Sequence, residues 1–284
     1  MRIARFGLPG REGWGFVVGD GVVEGPSVGL PGSLDSLLGG NAAASLAGAR
    51  ASLAAARPSL RLPEVALRAP VRPSKIVCVG LNYADHAAET GAKIPKEPVL
   101  FAKLPNAVAG PRDDIRCPGF VERLDYEAEL GVVIGARCRD IEPSRAMEQV
   151  LGYVAVNDLS ARDLQARDGQ WTRAKSLDTF CPVGPWLVTA DEIPDPHRLA
   201  VRARVNGEVR QDSSTASMVV KLPELIAYIS RGMTLEPGDL ISTGTPAGVG
   251  MGRRPPVFLK EGDVVEVEVG GVGALRNRVR REGG

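Results

Sequence analysis

The chain is short of histidine and cysteine, and it lacks charge runs and long apolar stretches. Each shortage removes a class of function. Only His86 and His197 occur among 284 residues, so a three-histidine metal site is impossible. A site of two histidines and one carboxylate would need both, and His197 lies in DEIPDPHRLA, a proline-broken connector that reads as a loop. A metal bound here would have to be held by carboxylates. The four cysteines, Cys78, Cys117, Cys138 and Cys181, lie far apart with no C-x-x-C pair. They read as reduced thiols rather than a disulfide framework or a zinc site. No apolar run approaches the ~20 residues that cross a bilayer, so no membrane partner is expected. The opening MRIARFGLPGREGWGF has no apolar core of a secretory signal, and the expected compartment is the cytoplasm. Thirty-five basic residues against 34 acidic ones leave a net charge of +1. With no run of Lys or Arg, nucleic acid is not an expected partner.

What is present is enough for a real core. The chain is 44% apolar, and at this length folding buries roughly 75% of the unfolded surface. The first 70 residues differ in texture from the rest. GFVVGDGVV (15–23) reads as two short strands around a Gly-Asp-Gly turn, and 33–57 as an Ala- and Leu-rich helix broken at Gly39 and Gly40. The proline-rich 58–73 segment reads as a linker. The expected division is therefore a small N-terminal α+β domain, 1–70, and a second domain, 71–284. In the second domain KIVCVG, PVLFAK, YEAELGVVIG, GYVAVND, GPWLVT, VRARVNG, DLIST and DVVEVEV read as strands. Helical windows are fewer: NYADHAAE, SRAMEQVL and KLPELIAYISRG. Strands and helices do not alternate regularly, which disfavours a doubly wound parallel sheet and favours a β-rich α+β fold.

The segment Asp125-Tyr126-Glu127-Ala128-Glu129-Leu130 carries the strongest chemical signal. On a strand, Asp125, Glu127 and Glu129 share a face, with Glu127 and Glu129 roughly 6.6 Å apart. They form either a solvated edge or a site for a hard divalent cation. Asp158, ending the apolar GYVAVND, is either a helix cap or a third ligand. A Glu-Glu-Asp oxygen set suits Mg²⁺ or Mn²⁺ far better than Zn²⁺ or Cu²⁺.

His86 follows the KIVCVG strand. A helix started by Asn82 would put His86 and Glu89 one turn apart, as a surface contact or as a base with a carboxylate orienting its ring. Lys175 is either a solvated lysine or a holder of substrate carboxylate or oxyanion. The Thr243–Gly250 loop either brings backbone N–H groups to an anion or forms a tight turn. Gly25-Pro26-Ser27-Val28-Gly29 matches a nucleophile elbow only in letters, because no helix follows and Pro26 breaks the strand. GTPAGVG lacks the lysine of a phosphate loop and the βαβ context of a dinucleotide site.

In order along 72–279, the chain carries VGLNYADHAAE, PVLFAKLPNAVAGP, LDYEAELGVVIG, GYVAVNDLSARDLQ, RAKSLDTFCPVGP, VNGEVRQDSSTASM, LEPGDLISTGTPAGVG and LKEGDVVEVEVGGVGALRN. Together these resemble the fumarylacetoacetate hydrolase family. The resemblance implies a mixed β-sheet roll, usually a homodimer, with a small variable leading domain. It implies Mg²⁺, Mn²⁺ or Ca²⁺ held by Glu127, Glu129 and Asp158. It places a catalytic His–Glu dyad on His86 and Glu89, the active-site lysine on Lys175, and substrate contacts on Arg162, Gln165 and Thr245. The implied reaction is metal-dependent hydrolysis of a carbon–carbon bond in a small 2-oxo or 2,4-dioxo acid. The alternatives are decarboxylation or isomerisation of an oxaloacetate-like or hydroxydienedioate acid, and, outside enzymes, ligand binding on an idle scaffold.

Overall fold

The structure is a computed structural model that describes residues 1–283. Strands dominate it, with seven α-helices among the described residues. They form the β-rich α+β roll that the sequence pattern implies. The largest sheet is mixed and centres on Ala128–Ile134, Val150–Asn157 and Cys181–Thr189, which pair antiparallel in that order. On one side Ala128–Ile134 pairs with Leu240–Ser242, which runs parallel to Ile76–Gly80; Val99–Lys103 closes that edge. On the other side Cys181–Thr189 pairs with Arg2–Leu8, and the sheet continues into the N-terminal strands.

The alternation of side chains decides what covers each face. Leu130, Val132, Tyr153 and Ala155 pack into one core with Val201, Ala203, Val265 and Val267 of a second, five-stranded sheet. The opposite face presents Val133, Val154 and Val156 to Leu34, Leu37 and Leu46 of the N-terminal helices. Each such aliphatic side chain contributes about 1.5–3 kcal/mol when fully buried. Both layers thus clamp the central strands, whose ends carry the acidic residues.

Elements outside the site follow their local chemistry. The 15–23 hairpin turns at Gly19–Asp20, with Val18 opposite Gly21. The Ala-rich stretch forms Leu34–Leu38 and Ala42–Ala55, capped by Ser33 and Asn41. The 58–73 segment is more than a linker: Leu60–Arg61 and Ala66–Arg68 add to the sheet as short strands. No helix among the described residues is long and apolar enough to cross a membrane.

Candidate active site

Strand register assembles the acidic cluster. Ala128 lies opposite Asn157, so Glu127 and Asp158 leave the ladder at the same end, and the Asp158 amide donates to the Glu127 carbonyl at 2.9 Å. One oxygen from each of Glu127, Glu129 and Asp158 lies within 4.8 Å of the others, and all three residues are buried. The solvated-edge reading of Glu127 and Glu129 therefore fails. Asp158 caps no helix either, because the next one begins at Arg162, behind Ala161. Asp125 parts from its neighbours. Leu124–Asp125 pairs with Ser160–Ala161, and Asp125 accepts from the Gly250 and Met251 amides at 2.7 and 3.0 Å.

Three buried cations meet these carboxylates. Lys175 Nζ donates to Glu127 Oε2 at 2.7 Å and to Asp158 Oδ2 at 2.9 Å. Lys103 Nζ donates to Asp158 Oδ1 at 2.6 Å. Arg162 spans Asp125 Oδ2 at 2.9 Å and Glu127 Oε1 at 2.6 Å. Glu129 is left without a cation among the described residues. Both of its donors, the Ser242 hydroxyl at 2.6 Å and the Gly244 amide at 2.9 Å, fall on Oε2.

The titration behaviour follows this division. Burial alone would raise Glu127, but Lys175 and Arg162 hold it well below the usual carboxylate range. At Glu129, burial and then the negative charges of Asp158 and Glu127 push the carboxyl up to about 8. Burial opposes the charge on Lys175, yet Asp158 and Glu127 raise its pKa above the ordinary lysine value. Four carboxylates facing three cations leave the cluster one positive charge short. A hard divalent cation fits that deficit and this all-oxygen donor set, and Glu127, Glu129 and Asp158 are the residues that would hold it.

His86 stands beside the cluster. Its helix is Ala84–Thr90, and Asn82 does not start it. Instead, the Asn82 side-chain Nδ2 donates to the Thr243 carbonyl at 2.8 Å and fastens the helix's approach to the glycine loop. His86 Nδ1 lies 3.3 Å from Glu89 Oε2, while Glu89 Oε1 accepts from the Gly248 amide at 2.9 Å. The carboxylate thus has both oxygens fixed and in turn fixes the ring. His86, Glu127, Glu129, Arg162, Gln165, Lys175 and Thr245 all line one cavity of about 360 Å³. Glu89 and Asp158 stand behind that wall as supports.

The Thr243–Gly250 loop does bind anions, and they are the protein's own. The amides of Gly244, Gly248 and Gly250 hold Glu129, Glu89 and Asp125. Gly248 has φ of 106°, and a Cβ there would lie 2.1 Å from the Arg210 carbonyl oxygen, so no other residue fits. The Thr245 hydroxyl donates to the Ala128 carbonyl and accepts from Gln211, which orients the loop. His197 caps a helix: its Nε2 accepts from the Leu222 amide at 3.1 Å. Sequence reasoning missed Lys103 and Ser242 as members of the site. The visible signal for Lys103 was a lone lysine ending the apolar PVLFA strand.

A family model for the C-terminal domain of fumarylacetoacetate (FAA) hydrolase matches residues 75–280, the span that holds every residue above. The chain belongs to that family. A fumarylacetoacetate hydrolase from Exiguobacterium antarcticum superposes with a TM-score of 0.84 at 40% identity, covering 99% of this chain and all of that one. A maleylpyruvate hydrolase from Sphingobium, solved with manganese(II) and pyruvate, covers both chains fully at 30% identity and a TM-score of 0.83. The oxaloacetate tautomerase FAHD2A of Bos taurus is 52% identical over 214 residues, which is 74% of this chain and 68% of that protein. Members of the fumarylacetoacetate hydrolase family thus include both hydrolases and a tautomerase.

Proposed function

We propose that the protein is a divalent-metal hydrolase that cleaves a carbon–carbon bond in a small 2-oxo or 2,4-dioxo acid. The observation that carries this reading is a buried oxygen triad inside a four-carboxylate cluster that is one positive charge short, with Glu127 and Glu129 sharing a cavity wall with an imidazole whose orientation a carboxylate fixes. Mg²⁺ or Mn²⁺ at Glu127, Glu129 and Asp158 would supply Lewis-acid polarisation of the substrate's 2-oxo group. His86, oriented by Glu89, takes a proton from water as that water attacks the distal carbonyl; the adjoining carbon–carbon bond then breaks, its electron pair leaving as the enolate of the 2-oxo acid, which regains a proton as the new carboxylate forms. Lys175 offsets negative charge developing on oxygen, and Arg162, Gln165 and Thr245 line the substrate's path. The buried free thiols support a cytoplasmic setting. The reading extends to a homodimer with a leading domain of 1–70 and a catalytic domain of 71–284.

A second reading, keto–enol tautomerisation or decarboxylation, needs the same residues but no attacking water. The 52% identity to an oxaloacetate tautomerase favours it. Turnover of acylpyruvates with Mn²⁺ in isotopically labelled water separates the two. Hydrolysis places the label in a newly formed carboxylate. Turnover that creates no labelled carboxylate would favour the second reading.

A further inference from the structure

An aromatic ring lies against the lysine of the cavity. Phe101 and Lys103 are alternate residues of the strand Val99–Lys103, so both side chains leave the same face. Lys103 reaches Asp158, and Phe101 reaches Lys175, whose Nζ lies over the phenyl ring at 5.0 Å from its centroid. Lys175 is 2% exposed, and two of its three N–H groups go to Glu127 and Asp158. The third has no acceptor among the described residues. The negative face of the ring attracts the ammonium, and the attraction is strongest where water is excluded.

The ring itself is held. Trp171 and Lys175 begin and end one short helix, Trp171–Lys175. The Trp171 ring meets Phe101 at 5.3 Å with 71° between the planes, so the helix that supplies the ammonium also fixes the ring beneath it. Gly80, opposite Val99 in the sheet, makes room for Trp171, because a Cβ there would lie 2.8 Å from the indole. Phe101 packs against the hydrophobic core yet remains partly buried and lines the cavity beside Lys175.

We propose that Phe101 is a positioning residue: its π face holds the Lys175 ammonium against Glu127 and Asp158, and so sets where that ammonium meets negative charge on a substrate oxygen. Trp171 acts through Phe101 by fixing the ring. The inference rests on the role given to Lys175 in the 2-oxo-acid reading above.

The test keeps the shape of the ring and changes its electrons. Phe101→4-fluorophenylalanine, Phe101→3,5-difluorophenylalanine and Phe101→3,4,5-trifluorophenylalanine draw density from the π face step by step. Each Mn²⁺-loaded protein is titrated by calorimetry with oxalate, which carries the negative oxygen of an enolate, and with pyruvate, whose 2-oxo group is neutral. Oxalate affinity should fall at every step, by about tenfold over the series, with pyruvate affinity changed by about twofold or less. Fluorination makes the ring less repulsive to an anion, so direct contact between ring and oxalate would shift the affinity the other way. If pyruvate binds but oxalate affinity is absent, stays constant, rises or merely tracks that of pyruvate, the inference is overturned and the 2-oxo-acid reading stands. If the wild-type protein binds neither ligand in the presence of Mn²⁺, both are overturned.

Discussion

Two networks of acids and bases differ in this molecule by one charge. Near the N-terminus, buried Arg5 bonds Glu12 at 2.9 Å and pairs with Asp35, while Arg72 reaches the same two carboxylates at 2.7 and 3.3 Å. Two arginines meet two acids, and the hydrogen bond from Arg5 holds Asp35 below its ordinary pKa. That network closes on itself and ties the first strand to the following segments. At the cavity, four acids meet three bases, and burial together with the negative charges of Asp158 and Glu127 raises the pKa of Glu129. Balanced charge builds structure, whereas the unbalanced cluster is where a cation belongs.

The contrast breaks most sharply at Glu127. Glu127→Gln should weaken Mn²⁺ affinity by more than about a hundredfold, beyond the loss of an outer-shell partner; equilibrium dialysis measures it, and turnover should vanish with it. Glu89→Gln should lower kcat by about a hundredfold with Mn²⁺ affinity unchanged, since Glu89 holds His86 and no ligand oxygen.

Proton competition gives a smaller effect. In the metal-free protein Glu129 keeps its proton up to about 8, against an ordinary 4.5. The folded chain then holds that proton more tightly than the unfolded chain. This contribution to stability is complete below the ordinary value and is lost as pH rises through about 8. Mn²⁺ must displace the proton, so its apparent affinity should fall about tenfold per pH unit below pH 8. Calorimetry across that range, in buffers of different ionisation enthalpy, would show the released proton.

Arg5→Met should affect the site least. Glu12 and Asp35 are 41% and 45% exposed, so water takes over much of their solvation. Stability should fall by about 1–3 kcal/mol in denaturant melts, with Mn²⁺ affinity unchanged.

The strand that carries the site was legible because its chemistry alternates: Leu130 and Val132 face one core, and Glu129 and Val133 the other face. The spacing of Glu127 and Glu129, and the helix turn joining His86 to Glu89, are local and could be read directly. Asp158 was readable only as two options, because its role depends on the register between strands. Lys103 lies 55 residues from Asp158, and Gly248 lies 159 from Glu89. No local pattern records such pairings. Glu208–Ser214 and Gly273–Arg281 also escaped the strand reading. Most of their outward residues are polar or charged, and they are strands because Ala200–Val205 and Val264–Val269 offer ladders to them.

The charge deficit itself is tested most directly at Glu129. Glu129→Gln removes the unpaired carboxylate and brings three acids to three bases without a metal. Mn²⁺ dialysed against the wild-type protein and this variant, at a pH above 8, should give one tightly held ion per wild-type chain and none in the variant. A variant that binds Mn²⁺ as tightly as the wild type would contradict the account.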